Sequence, residues 1–134
     1  KPAYYVEVGV CKGTSFKLNS PETTAIGIDP EPQIDTSALP KKHSIIKDTS
    51  DNYFASGQLN AALDNNPIDL AFIDGMHLFE YALRDFINLE KHAHRDSVIL
   101  VHDVYPMNSI TAERERHADF WSGDVWKLFL CYLL

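Results

Sequence analysis

The sequence predicts an α/β fold with a doubly wound, mainly parallel sheet, on three observations. Short apolar runs alternate with helical or loop segments along the 134 residues. The first run leads into a glycine turn, Gly9-Val10-Cys11-Lys12-Gly13. The later runs end in acids: Asp29, Asp48, Asp74 and the pair His102-Asp103. Ligands of parallel sheets bind beyond the C-terminal strand edges, so polar groups at every edge mark a single site. Asp is also common after strands as a cap or turn former, which would account for Asp48 alone, but less well for all four edges together.

Tyr4 to Val8 is strand one, β-branched and aromatic as a buried strand should be. Gly9 and Gly13 let the backbone turn sharply and approach a ligand, and Thr14 or Ser15 can cap a short helix reaching Asn19. The Gly-x-x-x-Gly spacing lacks the second glycine at which a dinucleotide's pyrophosphate packs, which favours a ligand without one. Thr24 to Asp29 is strand two, and its terminal carboxylate can accept from both hydroxyls of a ribose. Turn and acid together suggest a nucleoside.

Pro30 to Lys42, with three prolines, is mostly loop, and His43 to Asp48 is strand three. Asp51 is expected to cap a helix with Tyr53, Phe54, Leu59, Ala62 and Leu63 on its apolar side, closed by Asp64-Asn65-Asn66-Pro67. Ile68 to Ile73 is strand four, a near-continuous apolar run suited to the middle of a parallel sheet. Leu78, Ala82, Phe86, Leu89 and Ala93 keep helical spacing, leaving Arg84, Asp85, Glu90 and Lys91 for water. Ser97 to Val101 is strand five. A polar connection, Val104 to Trp121, is placed to form a lid, with Tyr105, Met107, Trp121 and Trp126 as an apolar wall, although Trp126 at helical spacing is equally core. Within it Glu113 to Arg116 reads as a solvated face. Ser122 can cap a last helix carrying Val125, Trp126, Phe129 and Leu133.

The composition, 45% hydrophobic and 23% charged, fits one globular domain with a core. A net charge of −7 argues against general affinity for nucleic acid or an anionic membrane. Cys11 and Cys131 are too few to form a disulfide framework, so a reducing, cytoplasmic setting is expected.

At this point the residues resemble those of a class I S-adenosylmethionine-dependent methyltransferase, a Rossmann-like fold. Glu7-Val8-Gly9-Val10-Cys11-Lys12-Gly13 is similar to that family's first motif and Gly27-Ile28-Asp29 to its ribose motif. Phe72-Ile73-Asp74-Gly75-Met76-His77 and Leu100-Val101-His102-Asp103 resemble the Asp-Gly-x-His and His-Asp signatures of the small-molecule O-methyltransferase subgroup. The resemblance implies that Glu7 and Gly9 shape the floor under the methionine part and Gly13 packs the turn. Asp29 would hold the ribose, and Asp48 with Thr49 the adenine. The bland alternative for Glu7 is a buried acid satisfied by backbone amides. The family's antiparallel sixth and seventh strands are missing, so residues 1–134 read as a single cofactor-binding domain, truncated after the helix following strand five.

The resemblance also implies chemistry. Methyl transfer needs a nucleophile held in line, and sometimes a base or cation to lower its pKa. His77, three residues after Asp74, stands where catechol-type enzymes have a lysine base. Asp74, His102 and Asp103 stand where they bind a divalent cation such as magnesium. The alternative is that His77 caps the next helix and His102 bonds across the strand ends. His43, His92, His94 and His117 are expected at the surface. The function that follows is methyl transfer to a hydroxyl of a small-molecule acceptor, with no nucleic acid or membrane partner and with self-association into a homo-oligomer compatible with it. The competing readings are a cofactor-binding module without turnover and, disfavoured by the glycine spacing, a nicotinamide-dependent oxidoreductase.

Overall fold

The structure, a computed structural model, describes residues 1–117 and 119–131, so Leu133 of the expected last helix lies outside the described residues. Five strands form one sheet: β1 (Tyr4–Val8), β2 (Thr24–Ile28), β3 (His43–Ile46), β4 (Ile68–Ile73) and β5 (Ala93–Val101). Their order is β3-β2-β1-β4-β5 and every pairing is parallel. The chain therefore winds outward in both directions from β1, and the switch point lies between β1 and β4. That is where an open sheet of this kind leaves a crevice.

Side chains alternate between the two faces, as the strand period requires. Val6, Val8, Ile26, Ile28, Ala71 and Ile73 pack with Tyr53, Leu59, Leu63 and Leu89 on one side. On the other, Tyr5 and Ala25 pack with Val10, Phe16 and Ile34. The first side carries helices α1 (Ser50–Ala55), α2 (Leu59–Ala62) and α3 (Phe79–Glu90). The second carries the 3₁₀ turn Phe16–Leu18, where a short helix was expected, together with Ile34 and Leu39 of the loop after β2. Helix α4 (Trp126–Cys131) packs on α3 through Ala82, Val125 and Leu128. Among the described residues no helix is long and apolar enough to cross a membrane.

Several boundaries differ from the sequence reading, each for a physical reason. Thr49, not Asp51, caps α1: its hydroxyl accepts from Asn52 N at 3.3 Å, while Asp51 pairs with Arg84 at 2.7 Å. The single helix expected there breaks in two, because Ser56 Oγ donates to the Tyr53 carbonyl at 2.6 Å and Gly57 takes a φ of 70°. Ala93 opens β5 rather than closing α3, since it pairs with Ile68 before the register shifts to Leu70 and Val98. Asp85, assigned to water, is 3% exposed. Ser122 does not serve as the expected helix cap; it is buried and donates to the Thr111 carbonyl at 2.9 Å. His43 is also buried, edge-on to Phe16, with Nε2 at 3.1 Å from the Ser20 carbonyl.

Candidate functional site

The backbone ladder brings the site together. It continues one residue past β1, β2, β4 and β5: Gly9 N donates to the Ile28 carbonyl at 2.9 Å, Asp29 N to Ile46, Asp74 N to Val8 and His102 N to Ile73. Gly9, Asp29, Asp74 and His102 thus stand in a row along one edge of the sheet. Above them opens a cleft of about 1020 Å³, lined among others by Gly9, Asp29, Thr49, Asp74, His77, Asp85, His102, Asp103 and Trp121. A cleft of this size suits a ligand as large as a nucleoside conjugate.

The first turn is built from glycine, a buried carboxylate beneath it, Glu7, and a half-buried one beside it, Asp29. Gly9 has a φ of 85°, and a Cβ there would land on the Asp74 carbonyl, so β1 and β4 close together only if this residue is glycine. Gly13 has a φ of 73° and lies against Ile34, packing the turn without lining the cleft. Glu7 is fully buried beneath the turn. Its carboxylate accepts from the Tyr5 and Ser15 hydroxyls, each at 2.6 Å, not from backbone amides. Burial holds its pKa above the usual range, opposed by those two bonds and assisted by the charge of Asp74. Glu7 is therefore a support for the turn and does not line the cleft.

Asp29 lines the cleft and also fixes the turn: Oδ2 accepts from Val10 N at 2.9 Å and Cys11 N at 2.8 Å, and Oδ1 from Glu31 N at 2.8 Å. Of roughly four acceptor positions on a carboxylate, three are occupied, which leaves capacity for one hydroxyl rather than two. Asp48 is not on the wall. Its Oδ1 is taken by Thr49 N at 2.7 Å and Asn52 Nδ2 at 2.9 Å, and Thr49, Ser50, Asp51 and Asn52 line the cleft in its place. Asp85 joins them from α3, and burial pushes its carboxyl up to about 6. The sequence carries a signal for Asp85. It lies three residues after Ala82 and four before Leu89, on the buried stripe of the helix.

At the other end two histidines and two acids meet. His102 Nδ1 is 3.0 Å from Asp103 Oδ2 and 3.2 Å from Asp74 Oδ1. His77 Nδ1 is 3.2 Å from Asp103 Oδ2, and its Nε2 is 3.8 Å from Asp74 Oδ1. Asp103 reaches both rings because its backbone is left-handed, φ 58°, a conformation that Asp tolerates better than most residues. Burial raises the pKa of Asp74, while the charge of His102 opposes it. The hydrogen bond to Asp103 raises that of His102, helped by the charges of Asp74 and Asp103. Donor atoms of Asp74, His102 and Asp103 lie within 4.8 Å of one another, so they suit a hard or borderline divalent cation and otherwise share a proton.

His77 is not a helix cap. The amide of Phe79, at the start of α3, donates to Asp124 Oδ1 at 2.7 Å. The His77 ring stacks on Trp121, centroids 5.3 Å apart, with Nδ1 at 2.7 Å from the Trp121 carbonyl. A carbonyl can only accept, so Nδ1 carries the proton and Nε2 is the basic nitrogen. The apolar wall differs from expectation as well: Trp121 and Phe120 line the cleft, whereas Tyr105 is 90% exposed and Met107 75%.

A family model described as a methyltransferase domain matches residues 6–104, well over half of the chain and the span from within β1 to just past β5. No curated protein matches the sequence.

Proposed function

The chain belongs to the methyltransferase-domain family, and from that premise we propose that it transfers a methyl group from S-adenosylmethionine to a hydroxyl oxygen of a small molecule. The observation that carries this reading is the convergence of the glycine turn, Asp29 and the His77-Asp74-Asp103 cluster on one cleft. When bound, S-adenosylmethionine supplies an electrophilic methyl on a sulfonium. Gly9 leaves the floor beside the Asp74 carbonyl free of a side chain, and Asp29 would accept from the ribose with its remaining position. Thr49 to Asn52 and Asp85 line the part of the cleft that would take the adenine.

His77 takes the acceptor's hydroxyl proton on Nε2 and, with its side chain 28% exposed, can pass it to water. Such general-base assistance is worth about 10²–10⁴ in rate. Asp74, His102 and Asp103 fit a divalent cation, which when bound would lower the acceptor's pKa. The cleft's partly apolar cover, Phe120 and Trp121, suits an aromatic or otherwise flat acceptor.

The test is transfer of a labelled methyl from S-adenosylmethionine to a panel of catechols, phenols and sugars, with titration of S-adenosylmethionine and NAD alongside. Binding of S-adenosylmethionine with turnover supports the proposal. Preferential binding of NAD would overturn it, and cofactor binding without turnover on any acceptor would favour a binding module. Changing His77 to Gln should lower turnover by about 10²–10⁴ while leaving cofactor affinity nearly unchanged. Retained turnover in that variant would remove His77 as the base.

A further inference from the structure

Between β5 and α4 the described residues from Asn108 to Asp124 form a strap beside α3, with its two ends bonded to each other. The Thr111 carbonyl accepts from the amides of Ser122 and Gly123, each at 3.1 Å, and from Ser122 Oγ at 2.9 Å. Trp121 Nε1 donates to the Glu113 carbonyl at 2.7 Å. Thr111, Ser122 and Asp124 are all buried. This segment places both the indole and the carbonyl of Trp121 against His77.

Two side chains, Arg114 and Asp124, tie it to the helix that begins beside the site. Arg114, expected to be solvated, donates to both oxygens of Glu80 in the first turn of α3, at 2.6 and 2.9 Å. The same guanidinium donates to Asp124 Oδ2 at 2.7 Å. Asp124 in turn accepts from the Phe79 amide with its other oxygen, and its own amide reaches the His77 carbonyl at 3.3 Å. Arg114 thus joins the middle of the strap, its end and the start of α3. A planar fork can bridge two carboxylates in fixed directions in a way that an ammonium cannot.

We propose that Arg114 is a positioning residue for His77: by locking the strap to the first turn of α3 it keeps the Trp121 carbonyl against Nδ1 and the indole over the ring. The proposal rests on the reading of His77 as the base, but its test needs neither a methyl acceptor nor turnover. The contact that depends on the strap is the one with Trp121, because Nδ1 also faces Asp103 Oδ2 at 3.2 Å, an acceptor the strap does not carry.

The experiment is proton NMR of the full chain, read for through-space cross-peaks between the ring protons of His77 and the indole of Trp121, in wild type, Arg114→Gln and Arg114→Lys. Amide exchange and titration with S-adenosylmethionine accompany it. Wild type should show the cross-peaks, as the stacked rings require. In Arg114→Gln they should weaken, and the amides of Ser122 and Gly123 should exchange at least about tenfold faster. Affinity for S-adenosylmethionine should stay within about twofold, since Arg114 does not line the cleft. Arg114→Lys should fall between the two, because a point charge cannot hold both carboxylates in a fork.

Absence of the cross-peaks in wild type, or unchanged cross-peaks in Arg114→Gln, overturns the proposal. If Arg114→Gln does not fold, Glu80→Gln weakens one exposed leg of the bridge and the same readouts decide. Should the cross-peaks weaken as expected while His77→Gln keeps full turnover, the positioning role stands and the base assignment fails.

Discussion

Asp85 carries its charge inside the cleft wall at a cost to the fold. Burial is the main cause of its raised pKa, about 6 against a reference of 3.8, and the charge of Asp51 adds to it. A carboxyl whose folded pKa is raised stabilises the native state fully below its unfolded value. It loses that stability as pH rises through the folded one. Between about pH 4 and pH 7 the loss is on the order of 3 kcal/mol for a shift of about two units. Asp85→Asn should therefore be more stable than wild type by about 1–3 kcal/mol at pH 7.5, with the gain fading toward pH 4. Urea denaturation at the two values measures it, and a variant less stable at both would mean that the charged form is better satisfied than its surroundings suggest. Asp29 differs in kind, because its oxygens serve the turn as well as the cleft. Asp29→Ala should lower affinity for S-adenosylmethionine by roughly tenfold or more, a charge-assisted hydrogen bond of about 1.5–3 kcal/mol. Asp29→Asn, which keeps an acceptor for the Val10 and Cys11 amides, should lose less; equal affinities across the three proteins in calorimetric titration would remove Asp29 from the site.

The elements show which information is local and which is not. Strands β1, β2 and β4 were legible, because each is an apolar run bounded by glycine, proline or acid, and their buried patterns agree. The meeting of Asp74 with His102 and Asp103 was legible too, since parallel neighbours end level when their registers align. The caps were not. The first amide of α3 is capped by a residue 45 positions later, and no pattern near Leu78 announces it. Likewise Arg114 sits in a run of alternating charge that reads as solvated until Glu80 and Asp124 are seen beside it. At α1 the competition was local and between neighbours. Thr49 has the extended backbone a cap requires, with ψ 149°, and Asp51 lies inside the helix with its carboxylate on Arg84. Thr49→Ala should cost about 1 kcal/mol, as for other threonine caps, and Asp51→Ala less, because its partner is an exposed cation. If the denaturation midpoints fall in the opposite order, the ion pair and not the cap holds this helix end.

Across the whole molecule, charge is matched to what the cleft would take. The chain has a net charge of −7, and Asp29, Asp51, Asp74, Asp85, Asp103 and Asp119 all line one opening. A sulfonium cofactor and a divalent cation are both positive, so each would relieve repulsion that the sheet edge has assembled. At the β4 and β5 ends the same acids favour a proton on His102: the hydrogen bond to Asp103, with the charges of Asp74 and Asp103, raises its pKa above the ordinary value, against burial. A histidine raised in this way stabilises the fold fully below its unfolded pKa, and that contribution is lost as pH rises through the folded one. A cation would act in the opposite direction, because its ligands must first give up their protons. Binding of magnesium or manganese should thus weaken in acid, and Asp103→Asn should weaken it at every pH. At an ion concentration of about 100 times its dissociation constant, binding to the native state alone adds about 2.7 kcal/mol of stability. The melting temperature should accordingly rise with either ion at pH 8 and rise less at pH 6. Calorimetry without binding heat, together with a melting temperature indifferent to both ions at pH 8, would leave the His102 proton as the positive charge for which this corner of the sheet is built.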